Sequence, residues 1–195
     1  MSEGTKIPLA KAINVASRFL KAIEPFILKA EVAGSVRRGS AMVGDVEIVC
    51  IENPLNALSN LFYKGYRGLT VDGPRLKRFK YPESNVQIEL YITNTFDYGR
   101  ILAIRTGSAW YSHCQLATNW NRLGWCGTAD GLRRKKECVK KGGVWKILPE
   151  FKDNPTKPPV FNTEADFYDF LGIPWVSPTE RNWADPTQEK KYSYK

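Results

Sequence analysis

Two acids stand two residues apart in "GDVEIVC", Asp45 and Glu47, with Val46, Ile48 and Val49 around them. In an extended strand, side chains two apart share a face. Asp45 and Glu47 therefore project together, while Val46 and Ile48 turn toward a core. Like charges held side by side repel, and a bound divalent cation relieves that repulsion. A third acid, Glu89 in "VQIELYI", is flanked by Ile88 and Leu90 as Glu47 is by Val46 and Ile48. On a second strand of the same sheet it would complete a three-carboxylate site, the donor set that two-metal nucleotidyl transfer requires. There one metal activates a hydroxyl and the other holds the phosphates, the two lying about 3.5–4 Å apart. The plainer reading of the same spacing is a solvent-facing strand that happens to carry acids.

The residues just before the pair favour the chemical reading. "GSVRRG" puts Gly34, Ser35 and Arg38 in a turn leading into the acid strand. Glycine lets a phosphate approach the backbone, a serine hydroxyl donates to it, and an arginine binds it through charge-assisted, often bidentate, bonds.

These residues need a scaffold, and the hydrophobic pattern supplies one. "PLAKAINVASRFLKAI" has apolar residues at helical spacing and predicts a helix from Pro8 to Ile23, stopped near Pro25. Strands follow at "FILKAEVAG" and "DVEIVCI". "NPLNALSNLFYKG" predicts a helix ended by Gly65, and "GLTVDGPRLKRFKY" and "NVQIELYIT" predict strands with a turn at Asp72–Gly73. The order is that of an α+β layer, helices over one face of a mixed sheet. Beyond Gly99 the pattern turns helical, broken at Thr106–Gly107–Ser108 and stopped by Gly124. "RRKKECVKKGGVWKILPEFKDNPTKPPVF" reads as a basic loop, and "TEADFYDFLG" as a short helix capped by Thr163 and ended by Gly172. The tail "TQEKKYSYK" reads as frayed.

Composition narrows the partners. The 195 residues hold 29 basic against 20 acidic side chains, a net charge of +9 that points to a polyanion such as nucleic acid. No apolar run approaches the length of a membrane helix and the N-terminus lacks a signal-peptide layout, so the expectation is a soluble, intracellular protein. Cys50, Cys114, Cys126 and Cys138 lack zinc-site spacing, His113 is the single histidine, and free thiols are expected.

Taken together, "GSVRRGSAMVGDVEIV" resembles the nucleotidyltransferase signature of family X DNA polymerases, the polymerase beta-like group. Further pieces follow in that family's order: "KIPL", "RTGS" at Arg105–Ser108, "ADGL" at Ala129–Leu132, and "FYDFLGIPWVSPTERN". The likeness spans roughly Lys6 to Trp183. It implies an α+β fold, a nucleotidyltransferase palm (a mixed β-sheet with two helices, about 1–103) and a small α/β thumb-like C-terminal lobe for nucleotide selection (about 104–195). It implies Mg²⁺-dependent addition of a dNTP to a primer 3′-hydroxyl, with short gap filling or end extension in DNA repair as the expected task and the protein acting as a monomer on primer-template or gapped DNA. Asp45, Glu47 and Glu89 match the metal-binding and catalytic carboxylates. Gly34, Ser35, Arg38 and Gly44 match the triphosphate positions, and Lys6 a basic phosphate contact. Arg105, Thr106, Gly107 and Ser108 match the nucleotide-binding turn beside the sugar.

The departures are specific. The family has aspartate at all three metal positions; two are glutamates here, so reduced activity or a shift toward Mn²⁺ is expected. Ile104 and Arg105 stand where aromatics usually line the sugar pocket. Ser112 and Leu116 replace an Asn and an Arg that read the nascent pair. With the palm helix at the start of the sequence, no N-terminal lyase and fingers region is expected. DNA contacts are expected instead from Arg75, Lys77, Arg78 and Lys80 on one basic strand and from Arg133, Arg134, Lys135 and Lys136 in the C-terminal loop. Template-independent tailing of DNA or RNA, a small-molecule acceptor, and a non-catalytic nucleic-acid-binding relative are the competing readings.

Overall fold

The computed structural model describes residues 6–65 and 69–184. The polar tail from Thr187 and the first five positions of the expected palm lie outside them.

Fifteen residues of helix α1 (Leu9–Ile23) bury Ala12, Val15, Ala16, Phe19 and Ile23. The helix stands where the sequence predicts it, with Pro8 as the N-cap, and Val15, Ala16, Phe19 and Ile23 keep the expected inner face, while Ile13 turns outward and Ala12 inward. Strand β1 (Ile7–Pro8) pairs with β3 (Met42–Val43). The main sheet has five strands: β2 (Ile27–Val32), β4 (Val46–Glu52), β5 (Val71–Asp72), β6 (Leu76–Lys80) and β7 (Gln87–Thr93). They lie in the order β2-β4-β7-β6-β5. The β4–β7 pair is parallel and the others antiparallel, so the sheet is mixed.

Helices cover both faces of this sheet, not one as the element order predicted. On the first face α1 and α3 (Leu58–Gly65) bury Val46, Ile48, Phe79, Ile88 and Leu90, and Phe79 meets Phe19 and Phe62 edge-on. On the second face α4 (Tyr98–Thr106) lays Tyr98 and Leu102 over Val49, Ile51 and Tyr91. Val49 and Ile51 share their face with Asp45 and Glu47. The acid face is thus apolar where α4 covers it and charged only at its uncovered end. Strict alternation explains both facts once the covering helix is seen.

A separate apolar core gathers Tyr111, Leu116, Trp120, Trp125, Leu132, Phe161, Phe167 and Tyr168. Around it lie α5 (Ala109–Tyr111), a π turn at Ser112–Ala117, and α6 (Thr118–Arg122). Next comes a hairpin of β8 (Trp125–Thr128) and β9 (Gly131–Arg134). The stretch read as a basic loop holds a second hairpin, β10 (Cys138–Lys141) and β11 (Val144–Ile147). Its turn is Gly142–Gly143, both at positive φ, the backbone that a two-residue hairpin turn demands. Helix α7 (Glu164–Leu171) has the predicted Thr163 N-cap, here completed into a capping box by Asp166, and ends at Gly172 in the left-handed region. The four cysteines are free. Among the described residues no helix is long and apolar enough to cross a membrane.

Candidate active site

The parallel register of β4 and β7 sets Glu47 beside Glu89, and Asp45 immediately precedes β4. The three acids named from the sequence therefore lie on one face at the same end of the sheet, but their surroundings differ. Burial first, then repulsion from Asp45, pushes the Glu47 carboxyl up to about 7, against the pull of Arg105 and Arg38. Asp45 is raised as well, by burial and then by Glu89, with Arg78 opposing and Gln87 donating a hydrogen bond. Glu89 is buried and fully partnered. Its Oε1 accepts from Arg78 Nε at 2.7 Å and Gln87 Nε2 at 3.2 Å, and its Oε2 accepts from the Tyr91 hydroxyl. Tyr91 in turn accepts from Arg105 Nη1 at 3.2 Å, and the Arg105 guanidinium lies 3.8 Å above the Tyr91 ring.

A divalent cation suits part of this set. Asp45 and Glu47 are hard oxygen donors in a partly desolvated spot; burial first, then neighbouring carboxylates, raises the proton affinity of both, and a cation would offset each cost. Glu89 does not fit in this arrangement, because a guanidinium already occupies its charge. Among the described residues no three His, Cys, Asp or Glu side chains come together as a ready-made metal group.

The glycine turn folds as a short helix, α2 (Gly34–Arg37). Gly34 has φ +59°, and a Cβ there would fall 1.9 Å from Glu47 Oε2. The close approach that the sequence suggested for a phosphate is made here by the Glu47 carboxylate. Arg38 Nη1 donates to the Thr106 carbonyl at 2.8 Å, while its Nε is buried and has no partner. Burial lowers its proton affinity, against Glu47 and Asp45, which raise it. Ser35 is half-buried on the same turn, and Gly44 is exposed just before Asp45. Lys6 is exposed ahead of β1.

Three positions matched to the nucleotide turn are used internally. Thr106 is fully buried and accepts from Arg37 Nη1 at 2.7 Å. Ser108 caps α5 and donates to the Trp183 carbonyl at 2.8 Å. A Cβ on Gly107 would meet Ser112 Oγ and Tyr111 at 2.6 Å.

The basic strand splits. Arg78 and Lys80 share the face of Glu89, being paired with Glu89 and Gln87 across the β6–β7 ladder. Lys77 turns to the opposite face, where it pairs with Asp72 and lies 5.9 Å from the Phe62 ring. Arg75 reaches 3.8 Å across to Asp130. This pair spans a cleft of about 1110 Å³, walled by Tyr91, Ile101, Ile104, Arg105 and Arg133. The cleft lies away from Asp45 and Glu47 and shares only the Tyr91–Arg105 wall with the carboxylate site. Arg133 donates to the Thr156 carbonyl at 3.1 Å, and Arg134 lies 4.0 Å from the Trp125 ring. Lys135 and Lys136 line a groove beside Gly124 and Thr156.

Sequence reasoning missed the network that joins the two cores. Arg37 Nη2 donates to Glu164 at 2.8 Å and lies 3.5 Å from Glu31, and the fully buried Arg181 donates to the other Glu164 oxygen at 2.5 Å. It also missed Gln87 and Tyr91, although both share a face with Glu89 by simple alternation.

No protein-family model matches the chain, and no curated protein sequence does. Among solved structures it is similar to Leishmania infantum polymerase beta, described as a ternary P/T complex. The TM-score is 0.67 at 18% sequence identity, over 93% of this chain and 78% of that one. The fold, a mixed five-stranded sheet with helices, is polymerase beta-like.

Proposed function

We propose that this chain is a nucleotidyltransferase of the DNA polymerase type, adding dNTPs to a primer 3′-hydroxyl. The observation that carries the proposal is the meeting of Asp45 and Glu47 at one end of the sheet with Arg38, whose buried Nε has no protein partner. A buried, unpaired guanidinium donor costs stability unless an anion completes it. Two repelling carboxylates cost stability unless a cation does. A metal–nucleoside triphosphate brings both charges at once.

Asp45 and Glu47 would hold Mg²⁺ or Mn²⁺. When bound, such an ion lowers the pKa of the attacking hydroxyl and neutralises charge on the leaving pyrophosphate. Arg38 orients the triphosphate, and the bond from its Nη1 to Thr106 fixes the guanidinium plane. Arg105 stacks on Tyr91 and so stiffens the wall between Glu89 and the cleft. The likeness of fold to a polymerase beta described as a primer/template complex supports DNA as the partner. The exposed Lys80 and the lysines of the C-terminal hairpin supply sequence-independent phosphate contacts. In this reading residues up to about 103 form the palm and the remainder the thumb-like lobe, and the chain acts as a monomer in short gap filling or end extension.

The test offers a labelled primer alone, a primer-template and a one-nucleotide gap, each with dNTPs or rNTPs, in Mg²⁺ and in Mn²⁺. Extension that follows the template and prefers dNTPs is expected. Extension of the bare primer would instead assign a terminal transferase. Binding of DNA without product in either metal would leave a binding protein and refute the polymerase reading.

A further inference from the structure

Glu47 and Glu89 stand side by side in the β4–β7 register, yet among the described residues only Glu89 of the two is in a direct salt bridge, Glu47 feeling Arg105 and Arg38 from farther off. Across the β6–β7 ladder Arg78 is paired with Glu89, and its Nε donates to Oε1 at 2.7 Å. The other donors, Gln87 and Tyr91, are neutral. Neutral donors on a carboxylate are ordinary supports for a metal ligand, because they fix its orientation and leave its charge intact. A guanidinium is different: it cancels the charge a second cation would need. Arg78 is itself accessible, with 38% of its side chain exposed. Lys80 is exposed two residues further along the same face. A phosphodiester crossing this ridge competes directly for the guanidinium.

Resting on the nucleotidyltransferase reading, we infer that Arg78 is a charge lock on Glu89. Without DNA, Asp45 and Glu47 hold a cation by themselves and Glu89 takes no part. When a primer-strand phosphate draws Arg78 away, Glu89 keeps Gln87 and Tyr91, its negative charge is no longer cancelled, and it joins the site. Arg78 is thus a positioning residue whose partner changes with DNA, which ties completion of the metal site to the presence of a primer.

Mn²⁺ binding to the purified full chain, followed by the electron paramagnetic resonance of the free ion, tests this without turnover. In the DNA-free protein Asp45→Asn is expected to weaken Mn²⁺ binding about tenfold or more, and Glu89→Gln by less than about twofold. Arg78→Gln should tighten binding and make it sensitive to Glu89→Gln. A primer-template ending in a 3′-deoxynucleotide, corrected for the ions DNA binds alone, should bring the same sensitivity to Glu89→Gln with Arg78 intact. That arm needs no change at Arg78, so a folding defect in the Arg78 variant cannot mask the answer. The lock is overturned if Glu89→Gln weakens Mn²⁺ as much as Asp45→Asn in DNA-free protein. It is equally overturned if DNA leaves Glu89→Gln silent. An Asp45→Asn protein that binds Mn²⁺ like the wild type would overturn the metal-site reading itself, and the lock with it.

Discussion

The arginines around the carboxylates and the lysines in and beside the β10–β11 hairpin are used in opposite ways. Around the carboxylates, Arg37 is tied to Glu164 and Thr106, Arg78 to Glu89, Arg105 to Tyr91, and Arg38 to Thr106. In the hairpin region Lys136, Lys140, Lys141 and Lys146 are exposed. Among the described residues none of these four is in an ion pair. Paired, half-buried arginines set geometry and are costly to remove. Free surface lysines leave the fold indifferent and act on whatever polyanion arrives. A net charge of +9 is therefore not one feature but two.

The contrast breaks most visibly at its buried end. Glu164→Ala leaves Arg37 and the fully buried Arg181 without their shared carboxylate. The expected loss is roughly 3–5 kcal/mol, measurable by urea unfolding. A loss below about 1 kcal/mol would mean that the network behaves like a surface ion pair.

Gly34→Ala comes next. It places a Cβ at φ +59° and within 1.9 Å of Glu47 Oε2, so the backbone is strained and the carboxylate must move. The expected cost is roughly 1–3 kcal/mol. Glu47→Asp in the same chain, by withdrawing the carboxylate, should recover part of it.

Glu47→Gln should do the reverse and stabilise the metal-free protein. The folded carboxyl is raised from 4.5 to about 7, so the folded state binds the proton more tightly than the unfolded state. Its ionisation therefore costs stability as pH rises through that interval. Unfolding at pH 8 should show the variant more stable by roughly 1–2 kcal/mol, and the gap should close near pH 4. A gap that widens in acid would have the wrong sign for a repelled, desolvated carboxylate.

The smallest effect on the fold is expected from replacing Lys136, Lys140, Lys141 and Lys146 together by alanine. Each change should shift stability by no more than about 0.5 kcal/mol. The salt dependence of DNA binding should flatten by up to about 0.9 in slope for each phosphate that is no longer neutralised. An unchanged slope would remove the hairpin from the DNA interface.

Local pattern made much of this legible in advance. Alternation alone puts Asp45 and Glu47 on one face and Val46 and Ile48 on the other. The Thr163 cap and the Gly172 stop need only their neighbours. What stayed hidden depends on distant residues. Nothing within "PRLKRFKY" tells that Arg78 faces Glu89 while Lys77 faces Phe62, because that follows from the β6–β7 register and from the helix lying beneath. The β10–β11 strands are only four residues each, and their lysines break up the strand formers Val139, Val144, Trp145 and Ile147, so the Gly-Gly turn between them reads easily as part of a basic loop. Arg181 lies in a polar segment that gives no hint of full burial; only the two cores closing around Glu164 put it inside.

The central claim is that Asp45 and Glu47 hold the ion that transfers a nucleotide, and incorporation of a labelled dNTP into a primer-template by the purified chain tests it most directly. Wild type should extend the primer in Mg²⁺ or Mn²⁺, and Asp45→Ala, folded by circular dichroism and still binding DNA, should lose that product by about a thousandfold or more. An Asp45→Ala protein that extends the primer at the wild-type rate would contradict the account.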